Sequence, residues 1–178
     1  MFTKSLSLKY LDECFIPDFN KGILVWKKRP LYHFKDHLTW RIINTRQEGK
    51  EAGTLGNHGH IQIQINSVLY LRSRIIFAMY YRFWPRKFLV DHKDQNSIND
   101  GIFNLRKSTK SQNGLNRGTP INNTSGYKGV TKLRDNLWWA RIKGKNLGYF
   151  PTIYTAYQAR ILAEELDKDA KYFPHREK

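Results

Sequence analysis

The stretch Phe88-Leu89-Val90-Asp91-His92-Lys93-Asp94-Gln95-Asn96, continuing through Asn104-Leu105-Arg106 to Thr109-Lys110-Ser111-Gln112-Asn113, decides how this chain is read. Phe88-Leu89-Val90 is a short apolar strand that delivers Asp91-His92 into a polar loop, Lys93 to Gly101. Order resumes over Ile102 to Arg106, and Thr109 is placed to cap a short helix through Asn113. Phosphodiester hydrolysis needs a base to take a proton from water and a cation to stabilise the scissile phosphate and leaving oxygen. It also needs a group that holds the base in its useful tautomer. His92 fits the base. Asp91 supplies a hard oxygen ligand, and the Asn113 amide oxygen can supply another. Such donors suit Mg²⁺, which keeps several waters and borrows phosphate oxygens from the substrate. An isolated Asp-His dipeptide also reads as a turn with a solvated histidine, so the rest of the chain has to decide.

Upstream, Phe2, Leu6, Tyr10 and Cys14 recur at i, i+4 with Leu11 and Phe15 beside them. The spacing predicts a short helix that Pro17 stops. Asp18 to Gly22 reads as a turn and Ile23 to Trp26 as a strand. Residues 27 to 50 are polar and aromatic with no clear period and receive no assignment. Ile61, Ile63 and Ile65 alternate with Gln62 and Gln64, the pattern of a half-buried strand. Asn66-Ser67 turns the chain, Val68-Leu69-Tyr70 returns, and Ser73 to Tyr81 reads as a helix ending before Trp84-Pro85. Of His58 and His60, the Gly59-His60 position reads as a strand-edge histidine rather than a metal ligand. His33, His37 and His175 have no recognisable partner. Cys14 on an apolar helix face reads as core.

Downstream, residues 114 to 125 are rich in Gly, Asn, Thr, Pro and Ser and read as a linker. Three strands follow, at Gly126 to Thr131, Leu137 to Lys143 and Asn146 to Phe150, with a tight turn at Gly144-Lys145. Thr152 then caps a helix in which Tyr154, Tyr157, Ile161 and Leu162 keep helical spacing. Ala156, Ala159 and Ala163 let that helix lie close to a sheet. Residues 125 to 150 hold Lys128, Lys132, Arg134, Arg141, Lys143 and Lys145 against Asp135 alone, whereas residues 151 to 178 balance. Alternation along the middle strand puts Trp138, Ala140 and Ile142 on one face and Trp139, Arg141 and Lys143 on the other. The first set suits packing on the helix. The second suits sugar-phosphate and base edges, since a β-sheet can lie in the major groove.

Over all 178 residues, 31 Lys and Arg face 15 Asp and Glu, a formal charge of +16, with 40% hydrophobic residues. That composition is too apolar for a disordered polybasic tail and favours a polyanionic partner. One cysteine excludes an internal disulfide and a four-cysteine zinc site. No apolar run approaches the length of a membrane span, and the start lacks a secretory signal, so a cytosolic protein is expected.

The central stretch resembles an HNH nuclease motif, the ββα-metal fold. Trp26-Lys27-Lys28-Arg29-Pro30, Gly49-Lys50-Glu51-Ala52-Gly53, the 59 to 70 hairpin and Trp84-Pro85 are similar to phage-encoded HNH homing endonucleases, several of which carry a C-terminal AP2 domain. Gly126-Tyr127-Lys128-Gly129-Val130, Trp138 to Ile142, Leu147-Gly148-Tyr149-Phe150 and the Ala-rich helix resemble that AP2 domain. The resemblance implies His92 as general base, Asp91 and Asn113 as ligands of a single divalent metal (Mg²⁺ or Mn²⁺), and Asn104 as a brace of the loop that helps orient His92. Asn96 would be structural within the loop. It implies that Arg106, Lys107, Lys110 and Arg117 grip phosphates, and that Lys128, Trp139, Arg141 and Lys143 contact DNA. Three departures stand out. Ser73-Arg74 replaces a His-Arg pair, Gln95 replaces a glycine, and Asp100-Gly101 replaces an Asn-Arg pair and removes a cation.

The expected fold is α+β: an HNH nuclease domain over 1–113, a linker over 114–125, and over 126–178 a three-stranded antiparallel sheet packed on one helix. The expected function is a homing-type endonuclease acting on double-stranded DNA, with a nick as the simplest product. No membrane or obligate protein partner is expected, and the setting would be a host bacterial cytoplasm if the protein is phage-encoded. A non-catalytic DNA-binding protein, a regulator or host-takeover factor built on a decayed nuclease, is the alternative. An RNA-binding reading lacks any RRM, KH or OB signature.

Overall fold

Helix α1, Leu8–Cys14, starts where the Ser7 hydroxyl accepts the Tyr10 N–H, and it ends as Phe15 turns extended. The computed structural model describes residues 5–174, so the expectations that rest on Phe2 and His175 lie outside it. The chain divides into two compact units, Met1–Lys110 and Ser111–Lys178. Every strand pair is antiparallel, and the fold class is α+β.

In the first unit, the helix stops three residues before Pro17. That proline lies inside strand β1, Phe15–Asp18, opposite Leu24 of β2, Ile23–Trp26. A two-stranded pair is all edge, so a residue without an N–H is tolerated there. The unassigned stretch holds a 3-10 turn, Leu31–His33, and helix α2, His37–Gln47, capped by Asp36. Its sequence shows no helical period because α2 exposes Leu38 and Ile42 and buries Asn44. Strands β3 (Thr54–Leu55), β4 (Ile61–Ile65) and β5 (Val68–Leu71) form one sheet in that order. Asn66 and Ser67 take left-handed φ values of 47° and 63°, the requirement of a two-residue hairpin turn. Helix α3, Arg72–Tyr81, follows β5 directly and is buried from Arg72 to Met79. Strands β6, Leu89–His92, and β7, Leu105–Ser108, make a second two-stranded sheet. Leu11, Phe15, Leu24, Trp26, Ile63, Ile75, Ile76, Phe77 and Leu105 share one core. Each such side chain contributes about 1.5–3 kcal/mol on burial.

The second unit takes in nearly all of α4, Lys110–Asn116, whose Leu115 packs with Ile142, Tyr172 and Phe173. The residues 114 to 125 therefore begin within packed structure. Strands β8 (Val130–Arg134), β9 (Leu137–Ile142) and β10 (Lys145–Phe150) run in the order β10-β9-β8. Helix α5, Ile153–Glu165, packs on that sheet, and Thr152 caps it by accepting the Thr155 N–H. The first strand starts at Val130, not at Gly126. Gly129 sits at φ +76°, where a Cβ would fall 2.5 Å from the Arg141 carbonyl oxygen. The tight turn is Lys143-Gly144, at φ +50° and +79°, one residue earlier than expected. On α5 the buried set is Ala156, Arg160 and Glu164, while Tyr154 and Leu162 are exposed. Arg160 Nε donates to Glu164 Oε1 at 2.7 Å, so a satisfied ion pair occupies the face assigned to apolar residues.

Candidate functional site

Strand register builds the centre of the first unit. Asp91 pairs with Arg106 and His92 with Leu105 across β6 and β7. Leu105 anchors β7 in the core and Val90 packs β6 against it. Asp91 and His92 are accordingly carried inward, 4% and 6% exposed. Arg106 Nε donates to Asp91 Oδ2 at 2.8 Å. The guanidinium assigned to phosphate thus lies on the carboxylate assigned to metal, and a charge-assisted bond sets that carboxylate's orientation.

His92 Nε2 lies 2.8 Å from Asp100 Oδ1. The other oxygen of that carboxylate accepts from Arg72 Nε at 2.8 Å. Arg72 Nη1 reaches Glu51 Oε1 at 2.6 Å, and its Nη2 reaches the Ile98 carbonyl at 3.3 Å. Asp100 is 1% exposed. In the sequence it stood only as a departure that removed a cation, and nothing in the spacing linked it to Arg72 or Glu51.

The loop between the strands turns on Asp94. Its carboxylate accepts from the Asn96 N–H, from Asn99 Nδ2 and from Asn104 Nδ2. Burial pushes the Asp94 carboxyl up, but the bonds from Asn99, Asn96 and Asn104, with His92 nearby, outweigh it and hold the carboxyl below its usual range. Asn104 also donates to the Asn99 carbonyl and accepts the Asp94 N–H. Its amide therefore braces the loop, while the bond on His92 Nε2 comes from Asp100. Gln95 adopts φ +65°, the left-handed turn for which a glycine is the ordinary choice.

His60, read from the sequence as a strand-edge histidine, directly precedes β4. Its ring centroid lies 5.8 Å from that of His92, and its Nδ1 is buried without a hydrogen-bond partner. Ser97 Oγ donates to the Gly59 carbonyl at 2.6 Å and ties this corner to the loop. Burial, then the neighbouring His92, holds the His60 imidazole below its ordinary range, against the opposing pull of Asp100. Ser73, which departs from the His-Arg pair that the resemblance implies, is buried at the start of α3. Lys107 lies over the rings of Phe83 and Phe88 at 4.7 and 5.3 Å, and Lys110 is exposed.

Asn113 and Arg117 belong to the second unit, with the basic sheet. There Trp138, Ala140 and Ile142 face inward as alternation requires, and Arg141 is exposed. Trp139 is half-buried, its Nε1 donates to Asn146 Oδ1, and the Arg141 guanidinium sits 4.9 Å from its ring. Tyr149, 59% exposed, is directly opposite Trp139 on the same face, an aromatic neighbour that the sequence reading did not single out. Two of the assigned cations are engaged within the unit. Lys128 Nζ donates to the carbonyls of Gly114, Leu115 and Arg117, closing the C-terminal end of α4. Lys143 lies in the turn, outside the alternating strand, and its ammonium bonds Asp167 and Asp169 at 2.6 and 2.8 Å. Lys132 pairs with Asp135, and Lys132, Arg134 and Lys145 are exposed. Among the described residues no helix is long and apolar enough to cross a membrane.

Comparison with known proteins bears on the first of these sites. A family model described as HNH endonuclease matches residues 70–115. The chain is 38% identical over 55 residues to "Protein 3.8" of Escherichia phage T7, covering 31% of this chain and 46% of that protein. It is 34% identical over 87 residues to "Uncharacterized HNH endonuclease L560" of Acanthamoeba polyphaga mimivirus, covering 46% of this chain and 44% of that protein. The chain thus spans somewhat less than half the length of these curated relatives. No solved structure matches. The stretch from the end of β5 to α4, which carries Asp91, His92 and Asp100, is thus the part of the chain that matches the HNH endonuclease domain, over residues 70–115.

Proposed function

We propose that the protein is a site-specific, divalent-metal-dependent DNA endonuclease of the homing type. The observation that carries this reading is the Asp91-His92 pair, buried at the end of β6 with His92 Nε2 bonded to Asp100, inside the segment that matches HNH endonucleases. His92 would take the proton from the attacking water. Asp91 would be a ligand of the metal, Mg²⁺ or Mn²⁺, and Asn113 is the second ligand that the resemblance implies. The donor chemistry fits, since one carboxylate and one amide suit a hard cation that keeps several waters. Among the described residues no group of three or more His, Cys, Asp or Glu offers an all-protein cage. When bound, the cation would neutralise charge on the phosphate and the leaving oxygen. Arg106 would orient Asp91, Asn104 would keep the loop shaped, and Lys107, Lys110 and Arg117 would hold phosphates.

The β8–β10 sheet would hold the duplex as an AP2-like module. Trp139, Tyr149 and Arg141 would form its aromatic and cationic centre, with Arg134, Lys132 and Lys145 around it. Lys128 and Lys143 would shape that surface through their bonds to carbonyls and carboxylates of the same unit. The setting would be a host bacterial cytoplasm if the protein is phage-encoded, as "Protein 3.8" of Escherichia phage T7 is.

Incubating the purified chain with supercoiled plasmid tests the reading. Conversion to open circle or linear DNA is expected in Mg²⁺ and not in EDTA, and His92→Ala should abolish it while DNA affinity persists. Intact plasmid with retained DNA binding would replace the enzyme by a DNA-binding protein.

A further inference from the structure

We infer that Asp100 is a positioning residue for His92. With Arg72 and Glu51 it forms a relay that fixes the imidazole as its Nε2–H tautomer and places the lone pair on Nδ1. The inference deepens the reading of His92 as base and rests on it.

A carboxylate only accepts hydrogen bonds, so at 2.8 Å the nitrogen facing Asp100 Oδ1 carries the proton. In a neutral imidazole the other nitrogen then has the lone pair, and it is the atom able to take a proton from water. Asp100 cannot rotate to release His92 without also breaking its 2.8 Å bond to Arg72 Nε. Arg72 is held in turn, since its two remaining nitrogens reach Glu51 and the Ile98 carbonyl. Its backbone is fixed where β5 runs directly into α3.

The main chain of Asp100 is fixed as well. Gly22, at φ +70°, lies against it so closely that a Cβ there would sit 2.2 Å from the Asp100 carbonyl carbon. Next to it, the Ile102 N–H donates to the Phe19 carbonyl at 2.8 Å. His92 and Arg72 thus hold the Asp100 carboxylate, Glu51 holds Arg72, and the turn at Gly22 packs against the Asp100 main chain. An Asn at position 100 would keep the shape and lose the constraint. Its amide can present an N–H to Nε2 and so favour the opposite tautomer, with the lone pair turned away from the reacting water.

The test is ¹⁵N NMR of the full chain labelled at histidine, without metal, at a pH well above the ordinary histidine range. The His92→Ala spectrum assigns the resonances. A protonated Nε2 and an unprotonated Nδ1 are expected, and the reverse assignment would overturn the relay. Asp100→Asn should convert His92 to the Nδ1–H form. It should also slow single-turnover plasmid cleavage by about 100-fold or more, while DNA affinity stays within about twofold. A folded Asp100→Asn protein with the parent's tautomer and rate would assign Asp100 a purely structural role. If that variant does not fold, the tautomer of the parent protein still decides. A parent protein that leaves plasmid intact would remove the nuclease reading, and the NMR measurement would judge the relay on its own.

Discussion

His60 shows how a single side chain gains consequence from its surroundings. The unfolded chain protonates this imidazole near the ordinary value of about 6.5. In the folded chain, burial and the nearby His92 hold it lower. Between the two values the unfolded state binds the extra proton, so this residue's contribution to stability is full above the ordinary histidine range and declines as the pH falls below it. His60→Tyr keeps an aromatic ring and cannot titrate there. The variant should lose less of its urea midpoint between neutral and mildly acidic buffer than the parent protein does. An equal loss in both would place the acid sensitivity elsewhere. At this scale Asp91 and His92 were legible because adjacent residues with complementary chemistry are visible in a linear text. His60 and Asp100 were not, because what makes them part of the centre is a ring 5.8 Å away and a bond across 8 residues of loop.

Among the elements, the β1–β2 hairpin has the least obvious job. Its Gly22 takes φ +70° with the Asp100 and Gly101 backbone packed where a Cβ would go. Gly22→Ala must strain the turn and push that backbone away, which should cost about 2 kcal/mol or more. Urea unfolding reads the stability loss. If the hairpin also positions Asp100, the cleavage rate of the folded variant should fall as well. Much of the element pattern was readable beforehand. Alternating Ile and Gln residues mark β4, and Thr152 marks the start of α5. Helix α2 was not readable, because its apolar Leu38 and Ile42 face solvent and its inner face holds Asn44 bonded to the Arg29 backbone. A polar inner face erases the period on which helix recognition depends. On α5 the Arg160–Glu164 pair misleads in the same way, since charges at i, i+4 ordinarily mark a solvated face.

For the whole molecule, the charge of +16 is the feature that most directly predicts behaviour. Its placement matters more than its size. Arg141 is exposed beside Trp139 on the open face of the sheet, whereas Lys128 and Lys143 are held by carbonyls and carboxylates of their own unit. Arg141→Ala should therefore weaken DNA binding and reduce the slope of log affinity against log salt by about 1. Titrations of a duplex at several salt concentrations measure both, and an unchanged affinity and slope would take this face out of the interface. A cation already bonded to carboxylates releases little from DNA, so the same slope should respond less to Lys143→Ala.

By itself the sequence determined a basic α+β chain with an Asp-His pair at a strand end and a three-stranded sheet carrying its own helix. Those features arise from contiguous residues, where alternation, helical period and turn chemistry act over a few positions. Only the tertiary structure decided which groups hold His92, which glycine fits against Asp100 and which lysines are already engaged. Each of those depends on groups that are not neighbours in the sequence, 8 residues apart for His92 and Asp100, 28 for Arg72 and Asp100 and 26 for Lys143 and Asp169, brought together by folding. No local pattern encodes that proximity.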